Sequence, residues 1–245
     1  MSRETLPFPT SSIPPLEPYL PPPSSIPATN PSQNPSPKIH LTLTYATSLD
    51  ASLSLSPGTR TMLSGPHSKA MTHYLRTRHD AILVGCTTAI VDNPALNSRL
   101  ETISSLDQQP RPVILDPKGR WDFDEDSQVI RLAAEWKGKG PWVVVGRGLE
   151  GEENLKERGE LLERVGGRSV MVEGGGEVIN SLLAEPENRW VDSVIVTVAP
   201  TWLGKGGVVV SPPRREGQQP QLRLRDVSWQ PHGEDVVLCG RILRD

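Results

Sequence analysis

The sequence has very little cysteine and no close cysteine pair. Its two cysteines, Cys86 and Cys239, are far apart in the chain, and neither belongs to a CxxC motif. This spacing argues against a disulfide-stapled secreted domain and predicts reduced, buried thiols of a cytoplasmic protein. The chain also lacks a cluster of cysteines and histidines with the spacing of metal ligands. We therefore expect no metal site.

Long apolar runs and an excess of charge of one sign are absent as well. No stretch approaches the ~18 apolar residues that a membrane span requires. The amino terminus has no basic region followed by an apolar core, so no secretory signal is expected. With 26 basic and 29 acidic residues, the formal net charge is −3. This balance predicts neither a nucleic-acid partner nor a membrane partner.

Proline and serine are concentrated at the amino terminus. Residues 1–37 contain 12 of the 25 prolines and seven serines, but only three charged side chains. We predict a disordered tail here, because the segment has too little apolar surface to offset the entropy lost on ordering. A ligand for a proline-recognition domain is the alternative. The ordered domain is expected to span residues 38–245.

From residue 38 onwards, the pattern alternates between strands and helices. Short, continuous apolar runs such as Ala81–Gly85 are typical of buried parallel strands. The last two strands are expected to pair as an antiparallel hairpin. The pattern therefore predicts an α/β domain with a mostly parallel sheet and an antiparallel carboxyl-terminal edge. The predicted strands cover residues 39–46, 81–85, 112–116, 142–146, 169–173, 190–198, 222–229 and 236–243. Two helices are predicted at residues 66 to about 78 and about 125–136, and a third is predicted after Gly176.

Three consecutive glycines lie at one predicted strand-to-helix junction. The apolar run from Ser169 leads through Glu173 into Gly174, Gly175 and Gly176, and a helical pattern follows. Glycines at such a turn let the backbone approach a ligand and leave the first helical N–H groups free, which predicts a phosphate-binding site. A glycine-rich turn without a ligand is the alternative.

Polar side chains follow the predicted strand at 81–85. Thr88, Asp92, Asn93 and Arg99 should lie near the carboxyl end of that strand, where open α/β sheets bind ligands. Arg99 is a candidate for a substrate phosphate, because its planar guanidinium matches phosphate oxygens. A solvated surface arginine is the alternative.

Three further features allow two interpretations each. Lys118 and Arg120 flank a glycine after a predicted strand, and they would either bind a phosphate group or remain solvated surface charges. Asp50 lies in a polar loop, as a buried acid or as a turn residue. Residues 146–151 match GxGxxG, but the next helix opens with two glutamates that would repel a pyrophosphate, so we interpret the match as accidental.

Several of these blocks occur together in a recognisable order. They comprise residues 64–65, 80–85 with Thr88, 92–94 with Leu96 and Arg99, 172–176, and 196–200 with the glycines up to Gly207. In this order they resemble the reductase domain of riboflavin biosynthesis, the RibD C-terminal domain family, over nearly all of residues 38–245. The resemblance implies the dihydrofolate-reductase-like fold, NADPH as cofactor, and reduction of a small-molecule substrate, a ribosylaminopyrimidinone 5′-phosphate.

The resemblance also implies roles for individual residues. Those assigned to NADPH are Thr88, Asp92, Gly146, Glu173, Gly174, Gly175, Gly176 and Glu177, to which the basic turn adds Lys118 and Arg120. Those assigned to the substrate are Ser64, Asn93, Leu96, Arg99 and Glu173. One position departs from the family, which often has glycine after the Ser-x-Asp of the first loop, where this chain has Ala51. That departure leaves the geometry of the Asp50 loop open.

The implied chemistry is hydride transfer from NADPH to the sugar C1 of a Schiff base, which gives the ribitylamino product. Asp50 or a water is the candidate proton donor, and catalysis mainly by positioning is the alternative. The alternatives to this function are a dihydrofolate reductase and a non-catalytic nucleotide-binding protein of the same fold. The first 37 residues contain no cysteine or histidine, so the zinc deaminase domain of bacterial relatives is not expected. The family further implies a homodimer, with residues 190–198 and the closing hairpin as contact surfaces.

Overall fold

The computed structural model describes residues 4–22, 39–146, 168–184, 190–213 and 222–244. In these ranges the chain forms ten strands and four α-helices. The strands are β1 (His40–Thr47), β2 (Ser52–Ser54), β3 (Ala81–Gly85), β4 (Arg111–Leu115), β5 (Trp142–Val144), β6 (Ser169–Gly174), β7 (Ser193–Val198), β8 (Val208–Val209), β9 (Leu224–His232) and β10 (Asp235–Ile242). The helices are α1 (Pro66–Thr77), α2 (Cys86–Asp92), α3 (Gln128–Ala134) and α4 (Gly176–Leu183).

Eight of the strands form the central sheet, in the order β5-β4-β3-β6-β1-β7-β10-β9. From β5 to β7 neighbouring strands are parallel, whereas β10 is antiparallel to both β7 and β9. A separate small sheet pairs β2 with β8. The predicted α/β fold, with a mostly parallel sheet and an antiparallel carboxyl-terminal hairpin, is confirmed.

The inner strands bury most of their side chains on both faces, because both faces of the sheet are covered. Every residue of β3 is buried. In β6, Val170 and Val172 belong to one core cluster, and Met171 belongs to the cluster on the other face. Successive side chains of a strand point to opposite faces, so an unbroken apolar run supplies two cores at once.

The sequence predicts a buried strand at residues 142–146. A strand forms there, but the prediction that it is buried is wrong. β5 lies at the edge of the sheet with β4 as its neighbour. Trp142 and Val143 are 41% and 36% exposed. Tryptophan and valine favour strands at edges as well as in the centre, so an apolar run of this length does not distinguish the two positions.

The predicted disordered tail is also corrected, for residues 4–22. Leu16, Tyr19 and Leu20 are at most 6% exposed and belong to the core cluster that covers one face of the sheet. Leu6 forms a parallel bridge with Leu100. The apolar residues are few, but Leu16, Tyr19 and Leu20 pack in one cluster with residues of α1 and of the sheet. Residues 23–38 lie outside the described residues, and their assignment to a disordered tail stays a prediction.

Three expectations concern features that the described ranges test only in part. The GxGxxG match at 146–151 lies outside the described residues except for its first glycine. Among the described helices, none combines the length and apolar character that crossing a membrane requires. In the same ranges, no three His, Cys, Asp or Glu side chains are grouped closely enough to hold a metal ion.

Candidate active site

A cleft of about 760 Å³ lies at the carboxyl ends of the parallel strands, and we call it the main cleft. The ends of β1, β3, β4 and β6 line it, together with the whole segment 57–64. Parallel strands point the same way, so the polar loops that follow them collect at one edge of the sheet. The predicted site residues that line this cleft are Ser64, Thr88, Asp92, Leu96, Lys118, Arg120, Glu173, Gly174, Gly175, Gly176 and Glu177.

The glycine turn connects β6 to α4 within the main cleft, as the sequence predicts. Gly174 and Gly175 have φ angles of 147° and 80°, which residues with side chains rarely adopt. A Cβ atom on Gly175 would lie 3.3 Å from Thr88 Oγ1, and one on Gly176 would lie 2.3 Å from Val208 Cγ1. Backbone conformation or lack of space therefore requires glycine at all three positions.

The lining of the main cleft also includes sources of positive charge. α4 begins at Gly176, so the positive end of its dipole borders the cleft. Lys118 and Arg120 follow β4 and line the same cleft. The Arg120 guanidinium donates a hydrogen bond at 2.6 Å to the Sγ atom of Cys86, the first residue of α2. The basic turn thus lies beside the start of α2, which also packs against the glycine turn through Thr88.

A buried carboxylate holds the basic turn against the sheet. Asp116 directly follows β4, is 1% exposed, and accepts a hydrogen bond from the Trp121 N–H at 2.7 Å. Burial by itself would raise the pKa of Asp116, but the N–H groups of Trp121 and Arg120 outweigh that effect and lower it. Asp116 is a positioning group that sequence patterns did not single out.

Glu173 forms a two-pronged ion pair that the sequence analysis missed. Arg76 Nε donates to Glu173 Oε1 and Arg76 Nη2 donates to Glu173 Oε2, each at 2.6 Å. Both side chains are largely buried, at 13% and 12% exposed. Arg76 Nη1 also donates to the carbonyl oxygen of Asn97 at 2.8 Å. Arg76 therefore fixes the orientation of the Glu173 carboxylate at the edge of the main cleft.

Asp92 and Asn93 lie side by side at the end of α2 but have different surroundings. Asp92 lines the main cleft, and burial raises the pKa of its carboxyl while Arg60 opposes that shift. The Asn93 side chain accepts a hydrogen bond from the Gln128 N–H at 2.7 Å and donates one to the carbonyl oxygen of Asp126 at 3.0 Å. Asn93 thus ties the start of α3 to the end of α2, outside the lining of the cleft.

Arg99 lies in a second cleft, of about 520 Å³, which we call the side cleft. This cleft is bounded by residues of the segment 95–109 and by the carboxyl-terminal part of α3. Arg99 Nη1 donates to the carbonyl oxygen of Glu4 at 2.6 Å, and its Nη2 lies 3.4 Å from His73 Nε2. The structure does not bring Arg99 into the lining of the main cleft, and its role as a phosphate ligand stays a prediction.

Asp50 is a turn residue in the loop between β1 and β2 and does not line the main cleft. Its carboxylate accepts hydrogen bonds from the Ser48 hydroxyl and from the N–H groups of Leu203 and Gly204, the latter two at 3.2 and 2.7 Å. These donors, the Ser48 hydroxyl first, lower its pKa. Ala51 has a φ angle of 61°, a conformation that suits glycine, so the loop keeps a glycine-type turn without the glycine.

Gly146 packs on the basic turn. Its N–H donates to the carbonyl oxygen of Pro117 at 3.1 Å, and a Cβ atom there would lie 3.2 Å from the same oxygen. Pro117 lines the main cleft, whereas Gly146 lies one layer behind it. Close backbone approach accounts for the glycine at this position.

Comparison with known proteins identifies relatives over most of the chain. The 2,5-diamino-6-ribosylamino-4(3H)-pyrimidinone 5′-phosphate reductase of Saccharomyces cerevisiae is 42% identical over 223 residues, which cover 84% of this chain and 87% of the relative. The protein of the same name from Debaryomyces hansenii is 35% identical and covers 97% of this chain and 98% of the relative.

Solved structures give the same result for the fold. The riboflavin biosynthesis reductase of Saccharomyces cerevisiae superposes with a TM-score of 0.68 at 37% identity, covering 86% of this chain and 92% of that chain. RibD from Acinetobacter baumannii superposes with a TM-score of 0.65 at 22% identity, covering 85% of this chain and 59% of that chain. The model of the RibD C-terminal domain matches residues 39–238. Because this match covers most of the chain and the relatives cover the same residues, the chain belongs to the RibD C-terminal domain family.

Proposed function

We propose that this protein is a 2,5-diamino-6-ribosylamino-4(3H)-pyrimidinone 5′-phosphate reductase. It reduces the ribosylamino side chain of its substrate to the ribitylamino form and uses NADPH as the reductant. The observation that carries the proposal is the main cleft, in which a glycine turn, a helix amino terminus and two cations meet at the carboxyl ends of parallel strands. The two fungal relatives named above bear this activity in their names.

The residues around the glycine turn fit a dinucleotide, and we call this part of the main cleft the cofactor end. Gly175 and Gly176 place no side chain at the start of α4, whose N–H groups are suited to bind a pyrophosphate. Thr88 lies against Gly175 and supplies a hydroxyl group at the same place. Lys118 and Arg120 would bind the 2′-phosphate that distinguishes NADPH from NADH. Gly146 supports the turn that carries both cations.

A second set of residues that line the main cleft fits the substrate, and we call their part of the cleft the substrate end. It comprises Ser64, Leu96 and Glu173, and the carboxylate of Glu173 presents acceptor oxygens held by Arg76. A carboxylate fixed in this way is suited to bind ribose hydroxyl groups, which are hydrogen-bond donors. Asn93 would affect the site indirectly, by fixing the position of α2. Its amide oxygen and its amide nitrogen are both hydrogen-bonded to the backbone at the start of α3.

The protein contributes binding, orientation and exclusion of water to the reaction. When bound, NADPH supplies a hydride to the sugar C1 of the opened ribosylamine. Asp50 has its oxygens engaged by three donors, so it holds the loop of Leu203 and Gly204 against the loop after β1. These hydrogen bonds lower the pKa of Asp50 and favour its ionised form. We keep Asp50 as the proposed catalytic residue, and to donate a proton its carboxylate has to leave these donors and first take up a proton.

A steady-state assay of the full chain tests the function. NADPH absorbance is followed with the pyrimidinone phosphate and, in parallel, with dihydrofolate. We expect turnover of the pyrimidinone alone and a kcat/KM for NADPH about ten- to hundredfold above that for NADH, since charge-assisted hydrogen bonds contribute about 1.5–3 kcal/mol each. Lys118→Ala and Arg120→Ala should each reduce this preference. Turnover of dihydrofolate alone would contradict the function, and equal kcat/KM for both cofactors would contradict the 2′-phosphate site.

We also propose a cytoplasmic homodimer. β7 is paired on both edges and is buried, so it does not offer the contact surface expected from the sequence. β9 is an edge strand, and its Val227 and Trp229 are 46% and 62% exposed. Sheet edges with exposed apolar side chains are suited to self-association. Light scattering of the protein and of Trp229→Lys tests this, and a monomeric unsubstituted protein would contradict it.

A further inference from the structure

The amino-terminal segment, residues 4–22, lies outside residues 39–238, the part of the chain that the model of the RibD C-terminal domain matches. Its contacts nevertheless reach two elements at the substrate end of the main cleft. One is α1, and the other is the stretch after α2 that begins at Leu96, which we call the 96–101 loop. None of the described residues that line the cleft belongs to the amino-terminal segment. Any effect of the segment on the cleft therefore passes through these two elements.

On the side of the cleft, α1 and the 96–101 loop meet at Arg76. Its guanidinium donates to both oxygens of Glu173 and, through Nη1, to the carbonyl oxygen of Asn97 at 2.8 Å. The neighbouring Leu96 is 1% exposed and has a φ angle of 51°. A leucine rarely adopts this left-handed conformation, and it keeps it only where its surroundings hold it. The orientation of Glu173 and the conformation of Leu96 therefore both depend on how α1 packs against the loop.

On the side away from the cleft, the amino-terminal segment holds the end of the 96–101 loop. Leu6 forms a parallel bridge with Leu100. The Leu6 N–H donates to the carbonyl oxygen of Arg99 at 2.9 Å, and the Leu6 carbonyl oxygen accepts from the Glu101 N–H at 3.3 Å. The carbonyl oxygen of Glu4 accepts a further hydrogen bond from the Arg99 guanidinium at 2.6 Å. Two backbone bonds and one side-chain bond thus tie the loop to the segment.

Aromatic and charged side chains fasten the same segment to α1. Phe8 stacks on Tyr74, with ring centroids 5.0 Å apart. The Tyr74 hydroxyl donates to Glu17 Oε1 at 2.8 Å, and Glu17 also forms an ion pair with Arg78. Tyr74 and Arg78 are two residues to either side of Arg76, so these contacts fix the turn of the helix that carries Arg76.

We propose that the amino-terminal segment is a clamp that positions the substrate end of the main cleft, with Leu6 and Glu17 as positioning residues. Leu6 fixes the 96–101 loop and Glu17 fixes the last turn of α1. Between them, the apolar residues of the segment share one core cluster with α1 and with Leu100. Both positioning residues act through the side chains that line the cleft and touch neither substrate nor cofactor. The inference rests on the proposed function for the statement that this end of the cleft binds the substrate.

Steady-state kinetics of Leu6→Pro, Leu6→Val and the unsubstituted protein test the loop side of the clamp. Proline removes the N–H that donates to Arg99 and keeps an apolar side chain, whereas valine keeps that N–H. For Leu6→Pro we expect KM for the pyrimidinone phosphate to rise about three- to tenfold, with kcat and the dissociation constant of NADPH nearly unchanged. Leu6→Val should keep a normal KM.

Glu17→Ala tests the α1 side of the clamp. Glu17 is exposed, so this substitution leaves the core intact and decides the question by KM if Leu6→Pro does not fold. We expect KM for the pyrimidinone phosphate to rise in the same direction, because the ties to Tyr74 and Arg78 are lost.

Val194→Ala is the control for a general loss of stability. Val194 is 4% exposed and belongs to the core cluster on the face of the sheet opposite to the amino-terminal segment. Its truncation should lower the free energy of unfolding, measured in urea, and leave KM unchanged. This comparison separates positioning of the cleft from destabilisation of the fold.

Amide hydrogen exchange reports on the clamp without turnover. In Leu6→Pro the Glu101 amide should exchange about tenfold faster relative to the amides of β3, and in Val194→Ala this ratio should stay normal. Faster exchange in a protein that does not reduce the pyrimidinone would contradict the proposed function and leave this inference standing. An unchanged KM in folded Leu6→Pro or Glu17→Ala, an equal rise of KM in Val194→Ala, or an unchanged exchange ratio would overturn it.

Discussion

At the scale of single residues, Gly175 offers the most direct test of the cofactor end of the main cleft. Gly175→Asp should abolish NADPH binding while the protein still folds. The added carboxylate would occupy the space beside Thr88 and would repel the pyrophosphate at the start of α4. Calorimetric titration with NADPH measures the binding, and circular dichroism verifies the fold.

Gly204→Asp is the matched control for this substitution. Gly204 has a φ angle of 81°, close to the 80° of Gly175, and nothing lies within 4 Å of a Cβ atom placed on it. It is outside the lining of the main cleft, so it carries the same backbone strain without the ligand. Near-normal NADPH affinity in folded Gly175→Asp would mean that the turn does not bind the phosphates.

The buried histidine His79 should make stability depend on pH. Its Nδ1–H donates to the carbonyl oxygen of Leu75 at 2.7 Å, and its Nε2 lies within hydrogen-bonding distance of the Thr42 hydroxyl, at 2.8 Å. Burial first, with His40 and Arg78 in the same direction and Leu75 and Asp80 opposing, lowers the pKa of His79 to about 4 from 6.5.

A lowered histidine pKa means that the unfolded chain takes up the proton first. The stability that the neutral ring contributes is present above pH 6.5 and is lost as the pH falls towards 4. We expect a slope near 1.4 kcal/mol per pH unit from this group in that window. Urea unfolding at several pH values should show a shallower slope for His79→Gln than for the unsubstituted protein. Equal slopes would refute the assignment.

At the scale of secondary-structure elements, the contact between the carboxyl-terminal hairpin and α1 positions the substrate end of the cleft. The start of α1 has no capping bond from its own N-cap residue, Gly65, and Asp235 supplies the acceptor instead. Loss of a side-chain cap costs about 0.5–2 kcal/mol. We expect Asp235→Ala to lower stability by about that amount and to raise the substrate KM, since Ser64, which lines the cleft, directly precedes the bonded Gly65.

The neighbouring exposed residue provides the control for this prediction. Glu234→Ala removes one carboxylate from the same hairpin without touching the cap, and should leave stability and KM nearly unchanged. Chemical unfolding and steady-state kinetics give the two readouts. An Asp235→Ala protein with normal stability would show that the hairpin does not hold α1.

At the scale of the whole molecule, residues 4–22 join distant parts of the chain. Tyr74 of α1 stacks on Phe8 at 5.0 Å and donates to Glu17 at 2.8 Å. On the hairpin, the Gln230 side chain donates to the carbonyl oxygen of Pro15 at 3.0 Å. The segment therefore covers one face of the sheet from α1 to β9.

Truncating the central apolar residue of this segment should destabilise the entire fold. Leu16 is fully buried, and Leu→Ala changes in cores cost about 2–5 kcal/mol. We expect Leu16→Ala to lose that much unfolding free energy, whereas Leu55→Ala, at a position 54% exposed, should change it by less than about 0.5 kcal/mol. Denaturant unfolding measures both. Equal losses would indicate that the amino-terminal segment does not contribute to the core.

Much of the fold and part of the site could be predicted from local patterns. The predicted hairpin, the start of α1 at Pro66 and the strand-turn-helix around Gly175 are all present. Such features depend on neighbours in the sequence, through strand periodicity, turn chemistry and the backbone freedom of glycine. Arg76 could have been found only by asking which charged residue on the inner face of α1 reaches the end of β6.

What the sequence by itself determined was the α/β class, the position of the glycine turn and the family, since each depends on residues close together in the chain or on a fixed order of motifs. Only the tertiary structure decided that Leu16 is buried, that Arg76 pairs with Glu173 and that Arg99 faces the side cleft. These outcomes join residues separated by tens to hundreds of positions, and they follow from strand order and from the volume left open between packed elements. The sequence neighbours of a residue determine neither the order of the strands nor the volume between packed elements.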